Sequence, residues 1–260
     1  KAIAIDTTVP VVTAVTSTNA DGTYIPGDTI TLTVTFSEAV TVTGTPTLQL
    51  ETGATDRQAT YASGSGTDTL TFTYAVQPGD QTGDLEALAT NALALAGGSI
   101  RDAASNDATL TIPALGSPGS IGGSKNIVID GDVPAITDVT ATTADGSYKA
   151  GDVITITLKA SEAITITGAP TLLLETGATD HAATYVSGSG TDTLVFSYTV
   201  QPGDSTVDLD YASAGALSLN GGTAQDAGGN NLFLGLPAPG AVHSLGGNKA
   251  IVIDTAAPTA

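Results

Sequence analysis

Apolar and polar positions alternate with a period of two through most of this chain. Ile30, Leu32, Val34 and Phe36 stand between Thr29, Thr31, Thr33 and Thr35, and Leu70, Phe72, Tyr74 and Val76 between Thr69, Thr71, Thr73 and Ala75. Successive side chains of a strand point to opposite faces, so this pattern predicts half-buried antiparallel strands. Ile154, Ile156 and Leu158, then Leu194, Phe196, Tyr198 and Val200, repeat it further on. Turn signals punctuate the runs: Pro26-Gly27-Asp28, Gly44-Thr45-Pro46, Gly64-Ser65-Gly66, Pro78-Gly79-Asp80 and Gly97-Gly98. The reading gives principal strands near 10–17, 28–36, 47–51, 58–62, 68–76, 99–101 and 125–130. Two segments stay open. Residues 84–97 are rich in Ala and Leu and compatible with a helical turn, although 211–221 are less so; 108–112 are compatible with a further strand before the Gly-rich loop 116–123.

A shift of 124 residues lays 9–130 on 133–254 with no insertion, and 72 of the 122 positions are identical. A period of this length is a whole domain rather than a solenoid turn. Short strands spaced by turns within such a unit predict an immunoglobulin-like sandwich. The expected fold class is therefore all-β, with two tandem immunoglobulin-like Greek-key β-sandwich domains. The expected division is a tail of a preceding repeat at 1–8, repeat one at 9–130, a linker at 131–134, repeat two at 135–254, and the start of the next linker at 255–260. The segment Ile127-Val128-Ile129-Asp130 before Val133-Pro134 recurs as Ile3-Ala4-Ile5-Asp6 before Val9-Pro10, and as Ile251-Val252-Ile253-Asp254 before Pro258. Each is a strand that ends in Asp and runs into a stiff connector. Because Lys1 falls on the tail of such a segment, the chain is expected to continue a longer array.

Composition changes this picture little. Thr, Val, Ile, Ala and Gly dominate, while Cys, Met and Trp are absent, which favours strands over helices and leaves no disulfide to staple the units. No stretch approaches 18 apolar residues, so no membrane insertion is expected. Charge changes it more. Seven basic residues against 26 acidic ones give a net charge of −19, which repels nucleic acid and anionic membranes. Each copy carries 12 acidic residues, 11 of them at coincident positions, the exceptions being Asp107, replaced by Asn231, and Asp138, replaced by Ala14. Charge placement is repeated along with the apolar pattern.

The string Tyr148-Lys-Ala-Gly-Asp-Val-Ile-Thr, the step Phe36-Ser-Glu-Ala-Val, the run Gly188-Ser-Gly-Thr-Asp-Thr-Leu, the hairpin Asp226-Ala-Gly-Gly-Asn and the close Ile253-Asp254-Thr-Ala-Ala-Pro resemble bacterial immunoglobulin-like repeats. More narrowly they are similar to the SWM-type repeats found in tandem in very large surface adhesins, over nearly the whole chain, twice. The resemblance implies an extracellular protein of the bacterial cell surface, a repetitive stalk whose partners are neighbouring repeats of the same chain, with any host or surface ligand held elsewhere in the full-length protein. It also implies calcium at the joints. Ser105 departs from it, standing where the second copy has Gly229.

Sandwich topology gives the acids a place independently of family. A chain that enters a seven-strand sandwich at one end leaves at the other, so the outgoing end of repeat one should hold Asp84 and Glu86 with the linker Asp130 and Asp132. The incoming end of repeat two should hold Glu162, Asp226 and Asn230. The 124-residue shift repeats the set as Asp6, Glu38, Asp102 and Asn106 and as Asp208, Asp210 and Asp254. Two like charges about 5 Å apart cost about 3 kcal/mol at an effective dielectric near 20, so a cluster calls for a cation. A hard ion with six to eight oxygen ligands fits, and Ca2+ tolerates irregular geometry better than Mg2+. The competing reading is that these acids only cap turns, as Asp and Asn do routinely; that reading is preferred for Asp21, Asp28, Asp56, Asp68 and Asp80.

Other chemistry is thin. His181 aligns with Arg57 and His243 with Gly119, so neither belongs to a repeated site, and both read as solvated loop residues. No zinc ligand set exists without Cys or paired His. Gly64-Ser65-Gly66 lacks the spacing of a nucleophile elbow, and no enzyme activity is expected. The sequence thus points to calcium-stiffened spacer repeats, with a module that binds glycan or protein through its loops as the alternative.

Overall fold

The structure, a computed structural model, describes residues 5–256. It divides into two compact units, Lys1–Asp132 and Val133–Ala260. The first contains β1 (Val12–Ser17), β2 (Gly22–Tyr24), β3 (Thr29–Thr43), β4 (Thr47–Glu51), β5 (Arg57–Ser63), β6 (Thr67–Ala75), β7 (Gln81–Thr82), β8 (Glu86–Ala87), β9 (Leu93–Ala94), β10 (Ser99–Arg101), α1 (Ile121–Ser124) and β11 (Ile127–Asp130). The second repeats them as β12 (Ile136–Ala141), β13 (Gly146–Tyr148), β14 (Val153–Thr167), β15 (Thr171–Glu175), β16 (His181–Ser187), β17 (Thr191–Thr199), β18 (Ser205–Thr206), β19 (Asp210–Tyr211), β20 (Leu217–Ser218), β21 (Thr223–Gln225), α2 (Leu245–Asn248) and β22 (Ile251–Asp254).

All seven expected strands are present, and the fold is an all-β immunoglobulin-like sandwich in each unit. In the first unit the large sheet runs β1-β3-β6-β5-β4-β8, with β9 also on β4 and β10 on the far half of β3. A small sheet, β2-β11-β7, supplies Ile127 and Ile129 to the core that Ile30, Leu32, Val34, Leu48, Leu50, Leu70 and Phe72 build from the large one. The alternation of apolar with Thr positions decides which face is buried. The second unit has the same strand order and a core of equivalent residues. One pairing is parallel: β11 runs alongside β2, Ile127 opposite Gly22 and Ile129 opposite Tyr24, while its other edge is antiparallel to β7.

Long β3 is two strands in one. Register runs evenly from Thr29↔Ala75 to Thr35↔Thr69 and then jumps to Val40↔Thr67, so Ser37, Glu38 and Ala39 bulge out of the ladder. Beyond the bulge, Thr41–Thr43 leave β6 and pair with β10. The incoming chain fastens to the bulge: Ser37 N donates to Val11 O at 2.9 Å, and Val11 N to Ser37 Oγ at 3.1 Å. In the second unit β14 bulges between Lys159 and Ile164, fastened through Ser161 and Ala135.

The two open segments resolve without a long helix. Within 84–97, β8 and β9 take the edge of β4 that β5 leaves free. Residues 108–112 form no strand; a parallel bridge joins Thr109 to Val11, and an antiparallel one joins Asp107 to Arg101. A short helix not foreseen from sequence, α1, lies in the Gly-rich loop, capped by Ser120, whose side chain accepts from Gly123 N. Gly123 is required there, because a Cβ would fall 1.8 Å from Ser117 O. No helix among the described residues is long and apolar enough to cross a membrane.

Candidate functional site

Three elements converge where the chain enters the first unit. The segment before β1 brings Asp6, the bulge of β3 brings Glu38, and the hairpin after β10 brings Asp102. One carboxylate oxygen from each lies within 4.8 Å of the others. A bulge re-aims a side chain away from the strand period, and that is how Glu38 reaches the group. Asp102 is buried. Its oxygens accept from Asn106 N at 2.8 Å and Asn106 Nδ2 at 2.7 Å, while Asn106 Nδ2 also reaches Asp6 O and Thr8 O at 3.3 and 3.1 Å. Asn106 thereby ties the hairpin to the incoming chain. Asp6 Oδ1 accepts from Thr8 N at 2.9 Å.

The charges are unequally satisfied. Burial pushes the Asp102 carboxyl up, but the Asn106 side chain and the amides of Asn106, Ala104 and Ser105 outweigh it and hold the group below its ordinary value. Glu38 is pushed above its ordinary value, by burial first and then by the charges of Asp102 and Asp6. Its Oε1 is buried with no hydrogen-bond partner. A buried carboxylate oxygen without a donor, beside two further carboxylates, is a position that a cation satisfies.

Of the residues expected from sequence, Asp6, Glu38, Asp102 and Asn106 are brought together. In the second unit Asp226 is buried and held like Asp102, accepting from Gly229 N at 2.7 Å, Asn230 N at 2.8 Å and Asn230 Nδ2 at 3.0 Å. Glu162 sits in the bulge of β14. Each connector Asp holds the amide two residues on: Asp130 that of Asp132 at 3.4 Å and Asp254 that of Ala256 at 2.9 Å. The hairpin doubt at Ser105 resolves simply. Ser105 takes a left-handed φ of 74°, beside 98° for Gly229, so the turn is kept and serine bears the strain.

Asp84 and Glu86 stand elsewhere in the unit. Glu86 Oε2 accepts from Ser120 Oγ at 2.6 Å, Gly116 N at 3.0 Å and Gly122 N at 3.2 Å, and Asp84 Oδ1 accepts from Ile127 N at 3.3 Å. Together they hold α1 and the Gly-rich loop against the start of β11. Asp210 does the same for the second unit through Ser244 Oγ at 3.0 Å and Gly240 N at 2.8 Å. Asp208 beside it is pushed up, by burial first and then by Asp210.

A second constellation escaped the sequence reading. Asp80 is fully buried, paired to Arg57 Nε at 2.7 Å and accepting from Tyr74 Oη at 2.5 Å and Gln77 N at 2.9 Å. Its equivalent Asp204 pairs with His181 Nδ1 at 3.0 Å and accepts from Tyr198 Oη and from Gln201 N at 2.7 Å. His181 is thus no solvated loop residue; it opens β16 against a buried carboxylate. The signal was available in the joint recurrence of Tyr74/Tyr198 and Asp80/Asp204 beside the Arg57/His181 exchange. His243 also has a partner, Asp138 Oδ1 at 2.9 Å, and both are polar only in the second copy.

No protein-family model matches the chain, and no curated protein matches it. A solved structure described as titin Ig tandem domains A164-A165 aligns over 85% of this chain and 97% of that chain, at 10% identity and a TM-score of 0.21. The fold assignment rests on the strand order and pairing described above.

Proposed function

We propose that the chain is a pair of structural repeats of the bacterial immunoglobulin-like, SWM-type kind, acting as a spacer in a cell-surface adhesin outside the cell, and that each repeat takes a calcium ion where the chain enters it. The reading is supported chiefly by one observation: Glu38 Oε1 is buried without a partner next to Asp6 and Asp102. In the first copy Asp6, Glu38 and Asp102 would supply carboxylate oxygens, with Asn106 fixing Asp102 and the incoming backbone. By the 124-residue register the set recurs as Asp130, Glu162, Asp226 and Asn230. An ion held this way joins the connector to the bulge and the hairpin. Its mechanical consequence would be to stiffen the array at each connector, and its chemistry is neutralisation rather than catalysis.

Extracellular calcium modules bind at about 0.1 to 1 mM. At a hundredfold excess over Kd, one such site stabilises the folded state by about 2.7 kcal/mol. Thermal melting in calcium and in chelator should therefore separate clearly, with Glu38→Gln and Asp102→Asn reducing the separation. Superimposable melts at 10 mM calcium would sink the reading.

A further inference from the structure

The two copies diverge on the outward face of the large sheet. At the start of β5 the first copy carries Arg57 and Gln58, both long, where β16 of the second carries the shorter His181 and Ala182. On the neighbouring strands Thr73 and Ala75 are replaced by Ser197 and Thr199, and Gln49 by Leu173. Ala182, Ser197, Thr199 and Leu173 all point outward, since Ala183, Phe196, Tyr198 and Leu172 beside them are buried. The shorter side chains leave room for two adjoining depressions, of about 270 and 290 Å³, that share the His181 ring as a wall. The larger lies over β16 and β17, between Ala182, Thr184, Ser197, Thr199 and Gln201, and the smaller runs past Thr179 to the turn at Pro202 and Gly203. Together they reach the size of small-molecule sites, about 300–1,000 Å³.

We propose that this groove of the second unit binds a neutral saccharide. The polar groups on its walls suit a polyol, which both donates and accepts at each hydroxyl. Ser197 Oγ and Thr199 Oγ1, two positions apart on one face of β17, are left without an intramolecular hydrogen bond among the described residues. Gln201 Nε2 donates to Thr199 O at 2.7 Å, which fixes the amide and leaves its carbonyl oxygen as an acceptor. Nδ1 of His181 is engaged by Asp204 at 3.0 Å and Thr176 Oγ1 at 3.3 Å, and the ring is held flat by stacking on Tyr198, so Nε2 is the nitrogen left to a ligand. Leu173, exposed opposite Ala182, offers an apolar edge to the C–H face of a pyranose. Other ligand classes fit less well. A cation finds no free carboxylate, because Asp204 is already shared by His181, Tyr198 and the amide of Gln201. An anion meets a chain of net charge −19. An extended peptide needs an open strand edge, and β16 and β17 are paired on both sides. An apolar ligand would strip water from the hydroxyls and the amide without replacing its hydrogen bonds.

The first copy provides the control in the same molecule. Heteronuclear NMR of the full chain in chelator, with D-glucose, D-galactose, D-mannose or N-acetyl-D-glucosamine added, reads the groove directly. A ligand of this size on an open groove has a Kd on the order of millimolar, so about 50 mM sugar loads it. At least one of the four should shift the amides of Thr184, Ser197, Thr199 and Gln201 saturably, while their counterparts Thr60, Thr73, Ala75 and Gln77 stay level. His181→Arg combined with Ala182→Gln installs the side chains that the first copy accommodates, and should abolish the shifts with the rest of the spectrum retained. Ser197→Ala alone should raise Kd by about two- to tenfold, the loss of one hydrogen bond. No saturable shift with any of the four sugars, equal shifts at the first-copy counterparts, shifts that survive the combined substitution, or the same response to glycerol or to glucuronate would each overturn the proposal. Because the readout needs no cation, its failure is separable from failure of the calcium reading.

Discussion

Ser105 is a serine in a glycine's conformation. Its φ of 74° matches the region Gly229 occupies at no steric cost, and the hairpin keeps the strain because Asp102 and Asn106 fix both its ends. Ser105→Gly is expected to stabilise the first unit by up to about 1 kcal/mol, visible as a shift in its chemical-denaturation midpoint; a loss of stability would mean that the serine is not strained. Glu38 carries a different burden. Its folded value lies above the ordinary 4.5, so over that window the folded chain keeps a proton that the unfolded chain has released. In chelator, stability should accordingly fall as pH rises from 4.5 through the raised value, and Glu38→Gln should flatten the fall. Melting curves at a series of pH values decide the point, and a Glu38→Gln chain with the same slope would contradict it.

At the scale of elements, the buried clamp of Asp80 shows what periodicity cannot say. Pro26-Gly27-Asp28 and Pro78-Gly79-Asp80 are the same local turn: Asp28 Oδ2 accepts from Ile25 N at 3.0 Å, as Asp80 Oδ2 does from Gln77 N at 2.9 Å. Asp28 is exposed and Asp80 fully buried, because only the second turn lies beneath Arg57 and Tyr74. That difference belongs to tertiary packing and leaves no local trace. Arg57→Ala would strand a buried carboxylate and should cost about 3 kcal/mol, with Arg57 a third exposed placing it at the low end for such pairs. Urea denaturation measures this directly, and a change under 1 kcal/mol would show that water replaces the guanidinium. The strands themselves were legible, since alternation decides which face is buried. The bulge's consequence, a glutamate turned toward the incoming chain, depends on the register with β6 and could not be read from one strand. Asp84 and Glu86 were grouped with the linker acids by loop topology; Glu86 accepts from Ser120 and Gly122 at α1, a helix that the Gly-rich loop concealed, and Asp84 accepts from Ile127 at the start of β11.

For the whole molecule, the relevant facts are repetition and charge. Eleven acidic positions recur at the 124-residue shift inside a chain of net charge −19, although a β-sandwich needs neither for its core. Self-repulsion on this scale is screened by salt, yet monovalent salt does not replace a ligated ion. Small-angle scattering should therefore distinguish them: calcium is expected to narrow the distribution of the chain's dimensions, and sodium chloride at matched ionic strength is not. Equal effects of the two would reduce the proposed stiffening to screening.

The most direct test of the account is a crystal structure of the chain grown in millimolar calcium. The account predicts an ion with oxygen ligands from Asp6, Glu38 and Asp102 at about 2.3–2.6 Å. Density at that position explained by water alone, with Glu38 Oε1 turned to a protein donor, would contradict it.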